Sequence, residues 1–148
     1  MKFRDATTGD EELLLWWRND EQSRKNSIKT DIIEVREHNQ WFQSVINNPE
    51  HKLLIACNED GIDVGTVRFD LISGTEDSYE ISWTVAPEWR GKGVGKEMVI
   101  AAIEQPFLKG KHIKAQIKSA NEASIKIAQA SAFTLHEQKN GFTHWWKD

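Results

Sequence analysis

Trp83-Thr84-Val85-Ala86-Pro87-Glu88-Trp89-Arg90-Gly91-Lys92-Gly93-Val94-Gly95-Lys96 joins the end of one pattern to the start of another. Upstream, Tyr79, Ile81, Trp83 and Val85 alternate with Glu80, Ser82 and Thr84, the period of a strand. Downstream, an apolar pattern from about Val94 to Gln105 predicts a helix that ends near Pro106. Ile113, Ala115 and Ile117 then alternate with Lys114, Gln116 and Lys118, a second strand. Strand, helix and strand make a βαβ unit, whose two strands run parallel. The glycines of the connecting loop let the backbone turn tightly and approach a ligand closely. Free N–H groups at the helix start point at an anion there, and the helix dipole favours negative charge. Arg90, Lys92 and Lys96 add positive charge, so the loop reads as a phosphate site. A dinucleotide fingerprint starting at Gly91 fails at Lys96, and a Walker A loop fails at Arg90 and Glu97. What fits is Arg-x-x-Gly-x-Gly after a strand that ends Val-x-Pro.

Outward from this unit, residues 2–6 predict a short strand. Thr8 stands three before Glu11, a capping-box spacing ahead of Leu13-Leu14-Leu15-Trp16-Trp17, and predicts a helix over about 9–18. Val35, His38, Trp41, Phe42, Val45 and Ile46 recur at helical spacing over 34–47, and Asn47-Asn48-Pro49 stops that helix. His51 to Cys57 and Asp63 to Leu71 flank Asn58-Glu59-Asp60-Gly61, a hairpin signal. Asn121 is a good N-cap for a helix reaching about Ser131. Residues 133–138 and 141–146 form a last hairpin around Lys139-Asn140-Gly141. The fold class is therefore α/β, with a central mixed sheet of six to seven strands flanked by about four helices. Residues 1–148 read as a single domain.

Composition narrows the function. Against 19 basic residues stand 23 acidic ones, a net charge of −4, which argues against a dedicated nucleic-acid binder. One cysteine excludes an intramolecular disulfide and a cysteine-based zinc site, and no metal is expected. Cys57 itself reads as a buried, inert thiol. The longest apolar runs, Met98 to Ile103 and Leu13 to Trp17, fall far short of the ~20 residues of a membrane span. The start, MKFRDATTGDEE, has no apolar core of a signal peptide. These readings predict a cytoplasmic protein, monomer or homodimer, with no membrane or nucleic-acid partner.

The stretch Trp83 to Gly95 resembles the signature of the GNAT superfamily of acetyl-CoA-dependent N-acetyltransferases. Asn121-Glu122-Ala123-Ser124-Ile125, followed by Phe133, resembles the same family's Asn-x-x-Ala/Ser helix. The resemblance covers essentially the full chain and implies a GNAT-like fold with acetyl-CoA as co-substrate. By that resemblance Arg90, Gly91, Lys92, Gly93, Val94, Gly95 and Lys96 hold the CoA pyrophosphate through the 91–96 amides. Main-chain groups of Trp83, Thr84 and Val85 pair with the pantetheine as an added strand would, and Asn121 and Ser124 line the pantetheine or phosphate side. Two positions depart from the family. The tyrosine acid expected seven residues after the Asn is Ala128, and Tyr79 is the only tyrosine in the chain. The glycine before the final Phe is Ala132, which implies a helix end capped some other way. A thiolate, with a reference pKa of about 8.5, is a tolerable leaving group, so an acid is helpful rather than compulsory.

The implied reaction is attack of a neutral amine on a thioester, in which proximity and an oxyanion donor carry much of the rate. The main-chain N–H near Val85 is the candidate oxyanion donor. Glu80 is the candidate base, directly or through water; the plain alternative is a glutamate on the solvent face of its strand. His38 and His144 are weaker candidates, and His38 lies on the apolar stripe of its helix. Two early helices flank the acceptor groove in this family, so Arg18, Asn19 and Trp41 are the candidate acceptor-binding residues. Arg18 can make a planar, bidentate contact to phosphate or carboxylate. Trp16-Trp17-Arg18-Asn19-Asp20 and Glu37-His38-Asn39-Gln40-Trp41-Phe42 resemble the branch acting on amino-sugar nucleotides, and also the ribosomal-protein N-terminal branch. Lys109-Gly110-Lys111-His112 is a basic loop that reads as a solvated turn, with contact to the 3′-phosphate of CoA as the alternative. The expected function is acetyl transfer to a primary amine of a small-molecule acceptor, an amino sugar linked to a nucleotide. N-terminal acetylation of a protein and a CoA-binding sensor without turnover, the latter motivated by Ala128, are the alternatives.

Overall fold

The computed structural model describes residues 1–148. In chain order the elements are β1 (Lys2–Asp5), α1 (Glu11–Asn19), α2 (Glu21–Lys25), α3 (Val35–Ile46), β2 (His51–Cys57), β3 (Asp63–Leu71), β4 (Ser78–Val85), α4 (Val94–Ala102), β5 (His112–Lys118), α5 (Glu122–Ala130), β6 (Thr134–Lys139) and β7 (Phe142–Lys147). The seven strands form one sheet in the order β1-β2-β3-β4-β5-β7-β6. β4 and β5 are parallel, as the βαβ pattern requires, and all other neighbours are antiparallel. The fifth helix, absent from the sequence reading, is α2, a short helix whose N-cap Asp20 accepts from the Gln22 and Ser23 amides. No helix is long and apolar enough to cross a membrane.

A 3-10 turn over Thr8–Asp10 precedes α1, and its cap is Thr7 rather than the Thr8 that the Thr8–Glu11 spacing suggests. The reciprocal pair is Thr7 and Asp10, with the Thr7 N–H donating to Asp10 Oδ2 at 2.8 Å. Arg4 fixes this choice, because its guanidinium bonds both Asp10 oxygens at 2.8 and 2.9 Å and so anchors that carboxylate under β1.

Alternation along the strands divides the sheet into two faces. Leu54, Val67, Phe69, Ile81, Ile113, Ala115 and Ile117 lie in the larger core with Met98, Val99 and Ala102 of α4 and Ala128 of α5. On the opposite face Leu53 and Ile55 meet Leu14 and Trp17 of α1 and Phe42 and Val45 of α3. Glu80, Ser82 and Thr84 point to this second face, opposite Asp70, Arg68 and Thr66 in register. The two early helices therefore roof the polar side of β4, and α4 and α5 buttress its apolar side.

One irregularity prepares the site. β4 and β5 stay in register for only three pairs, Ser78–His112 to Glu80–Lys114, and then part. Beyond Glu80, the edge of β4 turned toward β5 has no neighbouring strand. The ladder with β3 shows which groups face that gap. The Ala86 N–H donates to Val64 O at 2.8 Å, and the Ile72 N–H to Ser78 O at 2.8 Å. Both bonds make Val85–Gly65 and Tyr79–Leu71 the non-hydrogen-bonded kind of antiparallel pair. By alternation Trp83 and Val85 turn their main-chain N–H and C=O toward the gap, and Thr84 spends its own on Thr66 of β3.

Candidate active site

The loop between β4 and α4 is built around anion-facing amides. Gly91 (φ 73°) and Gly93 (φ 77°) adopt the left-handed conformation that favours glycine, and Gly93 is the N-cap of α4. No main-chain N–H from Gly91 to Lys96 donates to a protein acceptor; the first bond of the helix runs from the Glu97 N–H to Gly93 O at 3.2 Å. Six consecutive unpaired N–H groups at a helix N-terminus form a cradle for a phosphate. A side chain added at Gly91 or Gly93 would meet no atom within 4 Å, so these backbones are exposed to an incoming group. Gly95 is different. It is buried, and a Cβ there would lie 2.8 Å from Ile127 Cδ1 and 3.1 Å from Val85 Cγ2, so its absence lets α4 sit close against β4 and α5.

The cations around the cradle differ in role. Arg90 is committed to the fold: its Nη1 pairs with Asp20 Oδ2 at 2.7 Å and its Nη2 donates to Ser23 Oγ at 2.8 Å, tying the loop to α2. Burial pulls the Asp20 carboxyl up, but the Arg90 bond and the Ser23 and Gln22 amides outweigh it and hold its pKa below the usual value. Lys92 lies over the Trp89 ring at 5.1 Å, and Lys96 is exposed at the helix start. Asn121 caps α5 by accepting from the Ser124 N–H at 3.2 Å. Arg90, Gly91, Gly93, Val94, Gly95, Lys96, Trp83, Thr84, Val85, Asn121 and Ser124 all line one cavity of about 380 Å³. Of the residues expected at the cofactor, only Lys92 stands outside its lining. Gln22, Ser23, Asn26 and Ser27 from α2 and the turn after it close its far wall, a contribution no local motif announces.

Two further cavities open on the polar face of β4. One, of about 300 Å³, is lined by Trp17, Arg18, His38 and Trp41 from the helices and by Thr66, Arg68, Ser82, Trp83 and Thr84 from the sheet. The other, of about 320 Å³, lies in the gap between β4 and β5 and includes Arg18, Arg68, Glu80 and Gln116. All three cavities share Trp83 and Thr84. The cradle, the open strand edge and the pocket under the early helices thus converge on one point of β4.

Glu80 faces this junction half-buried. Its carboxyl titrates above the usual glutamate range, first because burial disfavours the charge and then because Asp70 stands opposite in the sheet; Arg68 and His144 pull weakly the other way. Arg18 and Trp41, the candidate acceptor residues, both line the cavity of about 300 Å³ under the early helices. Asn19 does not reach it. Its amide is used at both ends by Ile33, accepting from the Ile33 N–H at 2.8 Å and donating to Ile33 O at 2.9 Å, which pins the segment before α3. His38 is buried and its Nε2 bonds to Glu11 O at 2.9 Å, the packed histidine that its stripe implied. Arg68 went unnoticed in the sequence because a lone arginine at a polar strand position carries no signal; only the β3–β4 register puts it beside Ser82.

The family's tyrosine position is closed. Ala128 is fully buried in the larger core. Tyr79 stacks edge-on against Phe107 at 5.7 Å and lines none of the three cavities. The end of α5 corrects the expectation of a different cap: Ala132 itself takes the left-handed conformation (φ 65°), and the Phe133 N–H bonds Ala128 O at 3.1 Å. This is the usual glycine cap made with an alanine. Cys57 is only half-buried rather than buried; burial and then the Asp63 carboxylate raise its thiol pKa, which disfavours the thiolate. The Lys109–His112 turn lines a separate cavity with Glu104 and Asp148 and shares no residue with the cradle.

Comparison with known proteins agrees with this geometry. Residues 1–134 match the family model described as an acetyltransferase (GNAT) domain. Acetyltransferase PseH of Campylobacter jejuni subsp. jejuni serotype O:23/36 (strain 81-176) is 25% identical over 144 residues, covering 96% of this chain and 88% of that protein. Among solved structures, a spermidine N-acetyltransferase from Vibrio cholerae in complex with CoA and spermine superposes with a TM-score of 0.85 at 15% identity, over 99% of this chain and 94% of that one. A ribosomal-protein-alanine N-acetyltransferase from Brucella melitensis superposes with a TM-score of 0.78 at 24% identity, over 99% of both chains.

Proposed function

The chain belongs to the GNAT family of acetyltransferases, and from that premise we propose that it moves the acetyl group of acetyl-CoA to a primary amine of a nucleotide-linked amino sugar. The observation that carries this reading is the convergence of the six unpaired 91–96 amides, the open edge of β4 and the acceptor-side cavities on Trp83 and Thr84. The cradle fits a pyrophosphate in charge and in donor count. The free Trp83 and Val85 main-chain groups fit an extended amide chain laid along β4 in the manner of an added strand. Acetyl-CoA supplies the thioester. The Val85 N–H donates to the carbonyl oxygen as negative charge develops there. Glu80 stands five residues along β4 from Val85, about 16 Å, so it accepts the amine proton through a relay of waters, and its raised pKa makes it a stronger base than an ordinary glutamate. With Ala128 at the tyrosine position, the thiolate leaves without a side-chain acid from α5.

The choice of an amino-sugar acceptor is supported by the likeness to PseH and by the aromatic wall of Trp17 and Trp41 in the acceptor-side cavity, which suits a sugar face. The test is free-thiol release from acetyl-CoA by the purified protein against nucleotide-linked and free amino sugars, and against peptides with free N-termini. Turnover with the nucleotide-linked sugar is expected. Turnover with peptides alone would replace this reading with protein N-terminal acetylation, and CoA binding without turnover on any amine would leave a sensor.

A further inference from the structure

Arg18 lies in the last turn of α1 and lines both cavities that meet beneath β4. Its Nη2 makes one long bond, 3.3 Å, to Lys29 O, and its Nη1 is buried with no hydrogen-bond partner. Every other cation on these walls has a carboxylate. Lys29 pairs with Glu37, and Arg68 Nε bonds Asp70 Oδ2 at 2.9 Å. Glu80, the remaining acid there, pairs with neither arginine. The Arg68 guanidinium lies over the Trp41 ring at 5.2 Å and lines the same two cavities as Arg18. Burial first, and then the like charge of Arg68, make the Arg18 cation less favourable than in water, with the Glu37 carboxylate pulling the other way. Two guanidinium groups stand on this half-buried wall, and Arg18, with an unsatisfied N–H, has no anion bonded to it.

We infer that Arg18, with Arg68 beside it, forms an anion subsite in the acceptor cavity, so that the acceptor is an amine that also bears a carboxylate or a phosphate. This rests on the acetyl-transfer reading and names the second group by which its site recognises an acceptor. Glu80 and Ser82, the register partner of Arg68, are two residues apart on one face of β4, about 7 Å, so one small molecule spans base and anion site. Linear polyamines, which bring only further positive charge to this wall, are poor acceptors.

Paired acceptors test it: an α-amino acid against its carboxamide, and a nucleoside-diphosphate-linked amino sugar against the free sugar, with spermidine as the polycation. The charged member of at least one pair is expected to show a KM at least tenfold lower than its neutral partner, and the pair that does so identifies carboxylate or phosphate as the anion. Arg18→Gln erases that advantage, an effect of roughly 10–150-fold for a lost charged hydrogen bond, and leaves acetyl-CoA affinity unchanged. Arg18→Lys, which keeps the charge but not the fork, retains part of it and controls for folding. Equal KM within both pairs, a preference for spermidine, or an Arg18→Gln loss shared equally by charged and neutral acceptors overturns the subsite. If no amine consumes acetyl-CoA, the acetyl-transfer reading fails by itself. Calorimetry with inorganic pyrophosphate, at saturating CoA so that the cradle is filled, then decides the subsite: binding lost in Arg18→Gln supports it, and no binding by the parent overturns it.

Discussion

Gly95→Ala perturbs the joint on which the site depends. Gly95 is the second residue of α4, and an added Cβ would lie 2.8 Å from Ile127 Cδ1 and 3.1 Å from Val85 Cγ2. The Ile127 methyl can swing away, but Val85 stands at the end of β4, so α4 and the strand edge must part by a few tenths of an ångström. Overpacking of this kind costs about 1–3 kcal/mol, and the better helix propensity of alanine returns at most about 1 kcal/mol. The net loss, about 1 kcal/mol, lowers Tm by roughly 2–4 °C in a chain of this size. Binding should suffer more than stability. On the proposed reading the 91–96 amides and the Val85 main chain hold two parts of one ligand, and misplacing a single bond to a charged phosphate costs about 1.5–3 kcal/mol, or 10–150-fold in Kd. Thermal melts and calorimetry with CoA on the folded variant measure both. A folded Gly95→Ala protein that binds CoA as tightly as the parent would refute the idea that α4 and the β4 edge grip the same molecule.

Glu80→Gln should lower kcat by roughly 10²–10⁴, the contribution of a positioned base, and remove the acid limb of the pH–rate profile. Because the folded-state pKa of Glu80 is raised, the stability it contributes is present below its unfolded value and is lost as pH rises through the folded one; the Gln variant should therefore melt higher than the parent at neutral pH and show no such gain below about pH 4. An unchanged kcat would reduce Glu80 to a strand residue. Ala132→Gly should raise stability by about 0.5–1 kcal/mol without altering kinetics, since the left-handed conformation costs alanine about 1–2 kcal/mol and the looser unfolded chain offsets part of the gain; denaturant melts measure it, and a lower midpoint would argue against the strained cap.

What the sequence disclosed was local, and what it hid was long-range. The cradle is legible because its three glycines and the helix start lie within six residues, and φ values and unpaired amides follow from that spacing. The parallel β4–β5 pair is legible from the βαβ order, but the parting of the two strands after Glu80 is not, because it depends on register between segments more than thirty residues apart. Pairing between separate segments likewise hid Arg68 and the Arg90–Asp20 pair, in which a loop residue is tied to the N-cap of α2. Asn19 misled for a related reason. A polar residue at a helix end reads alike whether it faces a cavity or, as here, clamps the backbone of Ile33. Ala132 shows that backbone demand can outlast the residue that suits it: with the Phe133 N–H bound to Ala128 O, the turn stays left-handed without its glycine.

The central claim, that the amides from Gly91 to Lys96 seat the pyrophosphate of CoA, is tested most directly by titrating CoA into the parent and into Gly93→Glu by calorimetry. A side chain at Gly93 projects into open space on the cradle, and a carboxylate there sets like charge against phosphate. The parent should bind one CoA per chain, and the folded variant should lose at least the roughly 10–150-fold of a broken charged contact. Equal affinities in two folded proteins would contradict the account.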